Sequence, residues 1–179
     1  DNAGSSSGKY YTVQNDIDAS ATAGWNSGAG FSPIGTNGIV QFMGSFDGNG
    51  KVISGLFISR TNQNFVGLFG YVRGDGVVKN LGLTGATVSG KFSVGGLVGR
   101  NGGTLSGCSA SGTVSGNQAV GGLVGYTYGG RLIGCRAGCA VTGTDVYVGG
   151  LVGENDGDAL TNCYATGAVS GSNIVGGLV

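Results

Sequence analysis

The chain has 179 residues, of which 42 are Gly, one is Pro and none is His, and its nine basic and nine acidic side chains give zero net charge. Collagen is excluded because Gly does not recur at every third position, and a helical protein is disfavoured because interior Gly costs about 1 kcal/mol relative to Ala. The low charge leaves no basic surface for nucleic acid, and no apolar run approaches the roughly 20 residues of a membrane-spanning helix. The composition predicts a Gly-rich, Val-rich β protein.

The first third of the chain is irregular. Tyr11, Val13 and Ile17 show strand-like alternation, and apolar segments follow at 31–35, 42–50 and 52–58. Most of the aromatic residues, including Trp25, lie in this part or just after it. No repeat is visible before residue 66.

From residue 66 onwards, two motifs repeat. Val-Gly-Gly-Leu-Val-Gly occupies 94–99, 120–125 and 148–153, with a shorter form at 66–70 and an incomplete one at 175–179, so that the first Val recurs after 28, 26, 28 and 27 residues. A second motif built on Leu-x-x-Cys-x-Ala follows at 105–116, 132–143 and 160–171. Its earliest copy, 78–90, is one residue longer and has Leu81 in the Cys position.

This period predicts an all-β fold, a parallel β-solenoid with coils of about 26–28 residues. Propeller blades need roughly 40–50 residues, and leucine-rich repeats have a denser Leu pattern. Val94 and Leu97 are an odd number of residues apart, so a bend at the intervening Gly is expected to turn both inward. We expect the Gly that ends each motif to adopt positive φ at the corners. We also expect a buried ladder of Leu97, Leu123, Leu151 and Leu178.

The solenoid reading divides the chain into two parts. Residues 1–65 are predicted to be an N-terminal cap that merges into irregular first coils, because terminal repeats must seal the core. Residues 66–179 are predicted to be repeat coils, the last of them incomplete. Because Val179 lies inside a repeated motif, we expect the parent protein to continue with further repeats, or the exposed edge to dock onto another subunit.

The fullest copy of the pattern, at 148–171, resembles the GLUG-motif repeats of secreted bacterial surface proteins. The lead-in resembles segments that often precede such repeats: Trp25, 31–35, 46–50, 53–56 and 80–83. The resemblance covers roughly residues 10–179 and implies a right-handed parallel β-helix from a large extracellular protein. Such repeats occur in adhesins, filamentous-haemagglutinin-like exoproteins and non-catalytic regions of immunoglobulin A proteases, and they bring no catalytic motif. Arg131, Arg136 and Cys139 depart from the commoner small or polar occupants of their positions.

Three acidic segments were considered as sites. Glu154, Asp156 and Asp158 fall within five residues, like the start of a calcium loop. The matching turns at 100–103 and 126–130 carry no acids, which favours a polar solvent turn over calcium binding. Residues 47–50 are predicted to form a tight turn. Asp16 and Asp18 are expected on one strand face, but the sequence supplies no partner acid or His for catalysis.

Three rows of residues recur once per coil. Tyr71, Arg100, Tyr126 and Glu154 share one position, which is either a sugar-binding aromatic row or an ordinary variable surface position. Ser89, Ser115, Thr142 and Ser170 form a hydroxyl row, either internal or at a corner, that is too narrow for an ice-binding array. Cys108, Cys135 and Cys163 are predicted to stack as free, buried thiols, because parallel stacking points their side chains the same way.

The sequence favours a non-catalytic structural segment, a stalk or adhesin, of a secreted or bacterial cell-surface protein. The alternatives are a carbohydrate-binding or polysaccharide-active β-helix and a fibre subunit that assembles end to end. No catalytic, cofactor-binding or metal-binding residue is predicted, and the ligand-binding residues are unknown. The expected partners are a host glycan, a matrix protein or further copies of the chain, without nucleic acid or membrane insertion.

Overall fold

The computed structural model describes residues 6–36 and 40–179, and it confirms the predicted all-β fold: the chain winds into a parallel β-solenoid. Four sheets run along it. Sheet 1 contains, in spatial order, Tyr10–Thr12, Ser45–Asp47, Val77–Lys79, Thr104–Ser106, Arg131–Ile133 and Ala159–Thr161. Sheet 2 contains Ile17–Asp18, Val52–Ser54, Gly82–Ser89, Ser109–Gly116, Arg136–Gly143 and Tyr164–Ala165, with Phe57–Ser59 and Val169–Ser170 as additional strands.

The other two sheets are shorter. Sheet 3 contains Phe69–Val72, Val98–Asn101, Val124–Thr127 and Val152–Asn155. Sheet 4 contains Phe92–Gly95, Gln118–Gly121, Val148–Gly149 and Val175–Gly176. Helical structure among the described residues is confined to the short 3-10 turns Ser20–Gly24 and Asn26–Gly28, and no helix in these parts of the chain is long and apolar enough to cross a membrane.

The coil length becomes regular only in the repeats. Successive strands of sheet 1 begin at residues 10, 45, 77, 104, 131 and 159, so the first two coils take 35 and 32 residues and the next three take 27, 27 and 28. The first strands nevertheless pair directly with the later ones: Ser45–Asp47 bonds to Val77–Lys79. The division of the chain at residue 65 stays a prediction.

The extra residue in 78–90 is accommodated by a bulge. Leu83 pairs with Ala110 and Ala86 pairs with Gly112, so two residues on one strand, Thr84 and Gly85, face only Ser111 on the other. Gly85 adopts φ +59° and its missing side chain would meet open space. Bulges of this kind tolerate one inserted residue without changing which side chains point inward afterwards.

The predicted Leu ladder forms the centre of the core. Leu97, Leu123 and Leu151 are fully buried, and their backbone groups are joined by bonds of 3.0 Å (Leu97 N to Leu123 O) and 2.9 Å (Leu123 N to Leu151 O). The prediction is wrong for Leu178, which stacks in the same position but is 39% exposed, because only one of its two axial sides is covered by a coil of this chain.

The corner prediction was also wrong. The Gly residues that end the first motif do not adopt positive φ; the residue before each initial Val does. These corner residues have φ between 47° and 62° and none is Gly: Phe65, Ser93, Ala119, Tyr147 and Ile174. Their amides bond to the next coil, as in Ala119 N to Val146 O at 3.1 Å, and this bonding offsets the roughly 1–2 kcal/mol that a left-handed conformation costs a non-Gly residue.

Gly is needed at these motif ends for a different reason. A Cβ placed on Gly125 would lie 2.7 Å from the carbonyl oxygen of Gly99 and would also meet the backbone at Val94. Successive coils therefore approach too closely at this point for any side chain. A second left-handed row, at the corner between sheets 1 and 2, consists of Asn and Gly residues that adopt this conformation readily: Asn49, Asn80, Gly107, Gly134 and Asn162.

Candidate functional site

The row predicted from Tyr71, Arg100, Tyr126 and Glu154 exists on the outer face of sheet 3. Arg100 pairs in register with Tyr71 on one side and Tyr126 on the other, and Tyr126 pairs with Glu154. The guanidinium carbon of Arg100 lies 4.9 Å from the ring centre of Tyr71 and 5.4 Å from that of Tyr126. The cation is thus held between the rings of the two neighbouring coils.

Two further rings that the sequence analysis missed complete this arginine cluster. Phe65 and Tyr128 lie 5.8 and 6.0 Å from the same guanidinium carbon. Tyr128 was accessible to sequence reasoning, since it follows Tyr126 by two residues and alternate residues of a strand share a face. Phe65 was not, because its position depends on the left-handed corner. The Nε of Arg100 is buried without a hydrogen-bond partner, so interactions with the rings replace those with water.

Carboxylates border the cluster on one side. The hydroxyl of Tyr126 donates to Oδ2 of Asp156 at 3.5 Å. Burial and the charges of Asp156 and Glu154 raise the pKa of Tyr126, and burial followed by the charge of Asp156 raises the pKa of Glu154. Because the Tyr71 and Tyr126 rings both face Arg100, the row is an internally satisfied stack more than a series of free aromatic platforms. Sugar binding by this row stays a prediction.

The acids of 154–158 are used within the fold. Oδ2 of Asp158 accepts hydrogen bonds from Thr127 Oγ1 at 2.7 Å and from the Gly130 amide at 2.9 Å. The amide of Asp158 donates to Oδ1 of Asn155 at 3.0 Å. Among residues 6–36 and 40–179, no group of three acidic, Cys or His side chains is arranged to hold a metal ion. Asp158 therefore ties its turn to the preceding coil.

The other acidic candidates act as local hydrogen-bond acceptors. Asp47 accepts from the Asn49 amide at 2.8 Å and pairs with Lys79 at 3.1 Å, and these contacts, the amide first, lower its pKa. Asp16 accepts from the Val52 amide and Asp18 from the Ser20 amide, each at 2.9 Å. The two carboxylates predicted as a possible pair are thus engaged with different backbone amides.

The Cys row stacks as predicted, with one difference. All four thiols are free; Cys108 and Cys135 are buried, but Cys163, in the last coil that carries this motif, is only partly buried. Cys139 occupies a different position and donates from Sγ to the Gly122 carbonyl at 3.3 Å. Burial raises the pKa of Cys139 to about 11, and the Cys108 thiol together with burial raises the pKa of Cys135. These thiols are neutral at physiological pH and act as small apolar side chains.

The hydroxyl row lies on the outside of the solenoid. Ser89 and Ser115 share a hydrogen bond of 2.9 Å between their Oγ atoms and are half-buried, whereas Thr142 and Ser170 are exposed. The row therefore forms one edge of the outer face of sheet 2. It does not belong to the core.

The geometry defines a solenoid assembled from short, nearly identical coils, and the comparisons give those coils a name. The family described as the GLUG motif matches residues 90–115 and 144–170. The predicted resemblance is thereby confirmed over two coils.

The similar proteins are much longer than this chain. Over 114 residues, or 63% of this chain, it is 40% identical to "Halomucin" from Haloquadratum walsbyi, and over 105 residues, or 57%, it is 42% identical to a "Putative Gly-rich membrane protein" from Evansella cellulosilytica. These matches span 1% and 12% of the two relatives. The chain thus corresponds to a small part of each.

A solved structure shows the same fold. The crystal structure titled "a putative immunoglobulin A1 protease from Bacteroides ovatus" superposes with a TM-score of 0.75 over 94% of this chain and 54% of that one, at 24% sequence identity. At this identity the match concerns the architecture only.

Proposed function

We propose that the chain is a non-catalytic, rigid spacer segment of a secreted or cell-surface protein. The observation that carries this proposal is the uninterrupted parallel pairing of successive coils in sheets 1 and 2, from Tyr10 and Ile17 to the last repeats. The GLUG motif and the names of the two relatives, a halomucin and a membrane protein, support a location at the cell surface.

The mechanism is mechanical. Each coil adds about 4.8 Å along the axis and bonds its backbone to the coils on both sides. Since each repeat contacts only its neighbours, the segment lengthens by adding coils without a change in its cross-section. The repeated interior, with Leu97, Leu123 and Leu151 in one position, lets any coil follow any other.

Coil insertion tests this role. Residues 104–130 form one 27-residue coil, and Gly precedes Thr104 at position 103 just as Gly ends the coil at position 130, so copies join in register. One, two and four inserted copies should increase the maximum dimension in small-angle X-ray scattering by about 4.8 Å per copy. Flexible Gly/Ser inserts of equal length are the control and should broaden the distribution. An increase that is not linear in coil number contradicts the rigid-spacer proposal.

The non-catalytic part of the proposal rests on the engagement of the described acids with backbone amides and hydroxyls and on the absence of His from the sequence. Prolonged incubation of the purified chain with immunoglobulin A1 should leave the heavy chain intact, with an active immunoglobulin A1 protease as positive control. Cleavage that co-purifies with the chain through two chromatographic steps would overturn it.

A further inference from the structure

The outer face of sheet 2 contains a depression that the proposed spacer role does not use. It has a volume of about 360 Å³ and crosses several coils. Its polar and aromatic lining includes Ser109, Ser111, Arg136, Gly138, Tyr164 and Thr166. A second depression of about 230 Å³ adjoins it, shares Ser109 and Arg136, and adds Lys51. Together they form what we call the sheet 2 trough.

A missing side chain at Gly138 creates the floor of the trough. Gly138 pairs in register with Ser111, and Thr166 follows on the next coil, its amide bonded to the Ala137 carbonyl at 2.9 Å. A Cβ on Gly138 would lie 3.6 Å from Thr166 Oγ1 and 3.9 Å from Ser111 Cβ, which are ordinary contact distances. Gly138 does not have positive φ. Neither backbone conformation nor crowding therefore requires Gly here, unlike at Gly125.

The trough carries positive charge without a neutralising partner. Arg136 is exposed and lies in register between Ser109 and Tyr164. The ion pair found among the described residues joins Lys79 and Asp47, so Arg136 has no carboxylate within pairing distance in that part of the chain. No acidic residue lines either depression, whereas Lys51 and Arg136 line them.

The remaining lining is suited to a sugar ring. Tyr164 is 54% exposed and has no aromatic neighbour within the described ring pairs, so its face is open, in contrast to Tyr71 and Tyr126 in the arginine cluster. An aromatic ring buries the apolar face of a pyranose. The hydroxyls of Ser109, Ser111 and Thr166 can donate to or accept from sugar hydroxyls, and a guanidinium binds carboxylate or sulfate through paired N–H groups.

We propose that the sheet 2 trough binds an anionic saccharide chain, with its carboxylate or sulfate group on Arg136 and one sugar ring against Tyr164. Lys51 lies where the chain would extend into the adjoining depression. The site is independent of the spacer role, because a solenoid extends equally with or without a ligand on its face.

Isothermal titration calorimetry with three tetrasaccharides tests the proposal: tetragalacturonate for carboxylate, a chondroitin sulfate tetrasaccharide for sulfate, and cellotetraose as the neutral probe. At least one anionic probe should bind, with an affinity that falls as salt rises, and it should bind about tenfold or more tightly than cellotetraose. The probe that binds better identifies the charged group.

Three variants locate the site. Arg136→Ala should weaken binding of the anionic probe at least about tenfold, and Arg136→Lys should retain part of it. Gly138→Thr fills the floor with the side chain that Thr166 already has in the next coil, and it should weaken binding equally while the melting temperature stays close to wild type. Arg131→Ala removes an exposed Arg from sheet 1 and should change the affinity less than about twofold.

Several results would overturn the proposal. These are a failure of both anionic probes to bind at millimolar concentration, equal binding of cellotetraose, and wild-type affinity in Arg136→Ala. If Gly138→Thr is less stable than expected, the smaller Gly138→Ser variant provides the same test, and unchanged affinity in a folded Ser variant together with Arg136→Ala also refutes the site.

Discussion

Replacement of Leu123 by Ala tests the core ladder where the structure makes its strongest statement. The Leu123 side chain is completely buried, and the Leu residues of the coils before and after it, Leu97 and Leu151, are equally inaccessible. Removing three carbon atoms from such a position loses about 2.4 kcal/mol of transfer free energy. The closed coil on each side prevents collapse of the cavity, which raises the expected loss to about 3–4 kcal/mol.

The chain contains a matched control for this substitution. Leu178 occupies the same position in the last coil, and its amide and carbonyl neighbours are equivalent, but it is 39% exposed. Leu178→Ala therefore loses only part of the transfer term and leaves no closed cavity, for a cost of about 1–1.5 kcal/mol. The difference of about 2 kcal/mol between two identical substitutions measures coverage by the next coil.

Urea unfolding followed by far-ultraviolet circular dichroism measures both free energies. The m-values of the variants must match the wild type for the comparison to hold, because a changed m-value in a repeat protein signals loss of cooperativity. A cost for Leu123→Ala below about 1.5 kcal/mol, or one no larger than that of Leu178→Ala, would refute the argument that stacked coils rigidly enclose this ladder.

Three further predictions concern Gly, Cys and Asp side chains. Gly125→Ala should lower the melting temperature strongly because its Cβ meets backbone, whereas Gly138→Ala should change it little or raise it; equal effects would contradict the assigned close approach. Because the folded Cys139 thiol has a pKa of about 11 against 9.0 when unfolded, the unfolded chain loses its proton first and stability should fall as pH rises from about 9 to 11; the fall should be shallower in Cys139→Ala, and identical slopes would oppose it. Asp158→Ala should cost about 1–3 kcal/mol by leaving Thr127 and the Gly130 amide unpaired, while EDTA should not change the melting temperature of the wild type; a calcium-dependent increase would restore the calcium hypothesis.

The sequence was sufficient to predict the repeat unit, the parallel stacking and the inward-facing Leu and Cys rows. These features are predictable because a solenoid repeats one local pattern, so that a residue in one coil and its equivalent 26–28 residues later must lie side by side. The longer copy at 78–90 followed the same logic, since one additional residue is absorbed by the bulge at Gly85. Stacking of Cys108 on Cys135 and Tyr71 beside Arg100 required only this equivalence.

What occurs within a coil was decided by the tertiary structure. The left-handed corners at Ala119 and Tyr147 contradict local preference, because hydrogen bonds to the next coil outweigh the conformational cost. Burial of Cys163 and Leu178 depended on a further covering coil. The enclosure of Arg100 by Phe65 and the gap at Gly138 arise from side chains that belong to different coils and different turns. A period in the sequence specifies which residues become neighbours along the axis, but the direction of each corner, set by backbone bonding between coils, determines which surfaces converge.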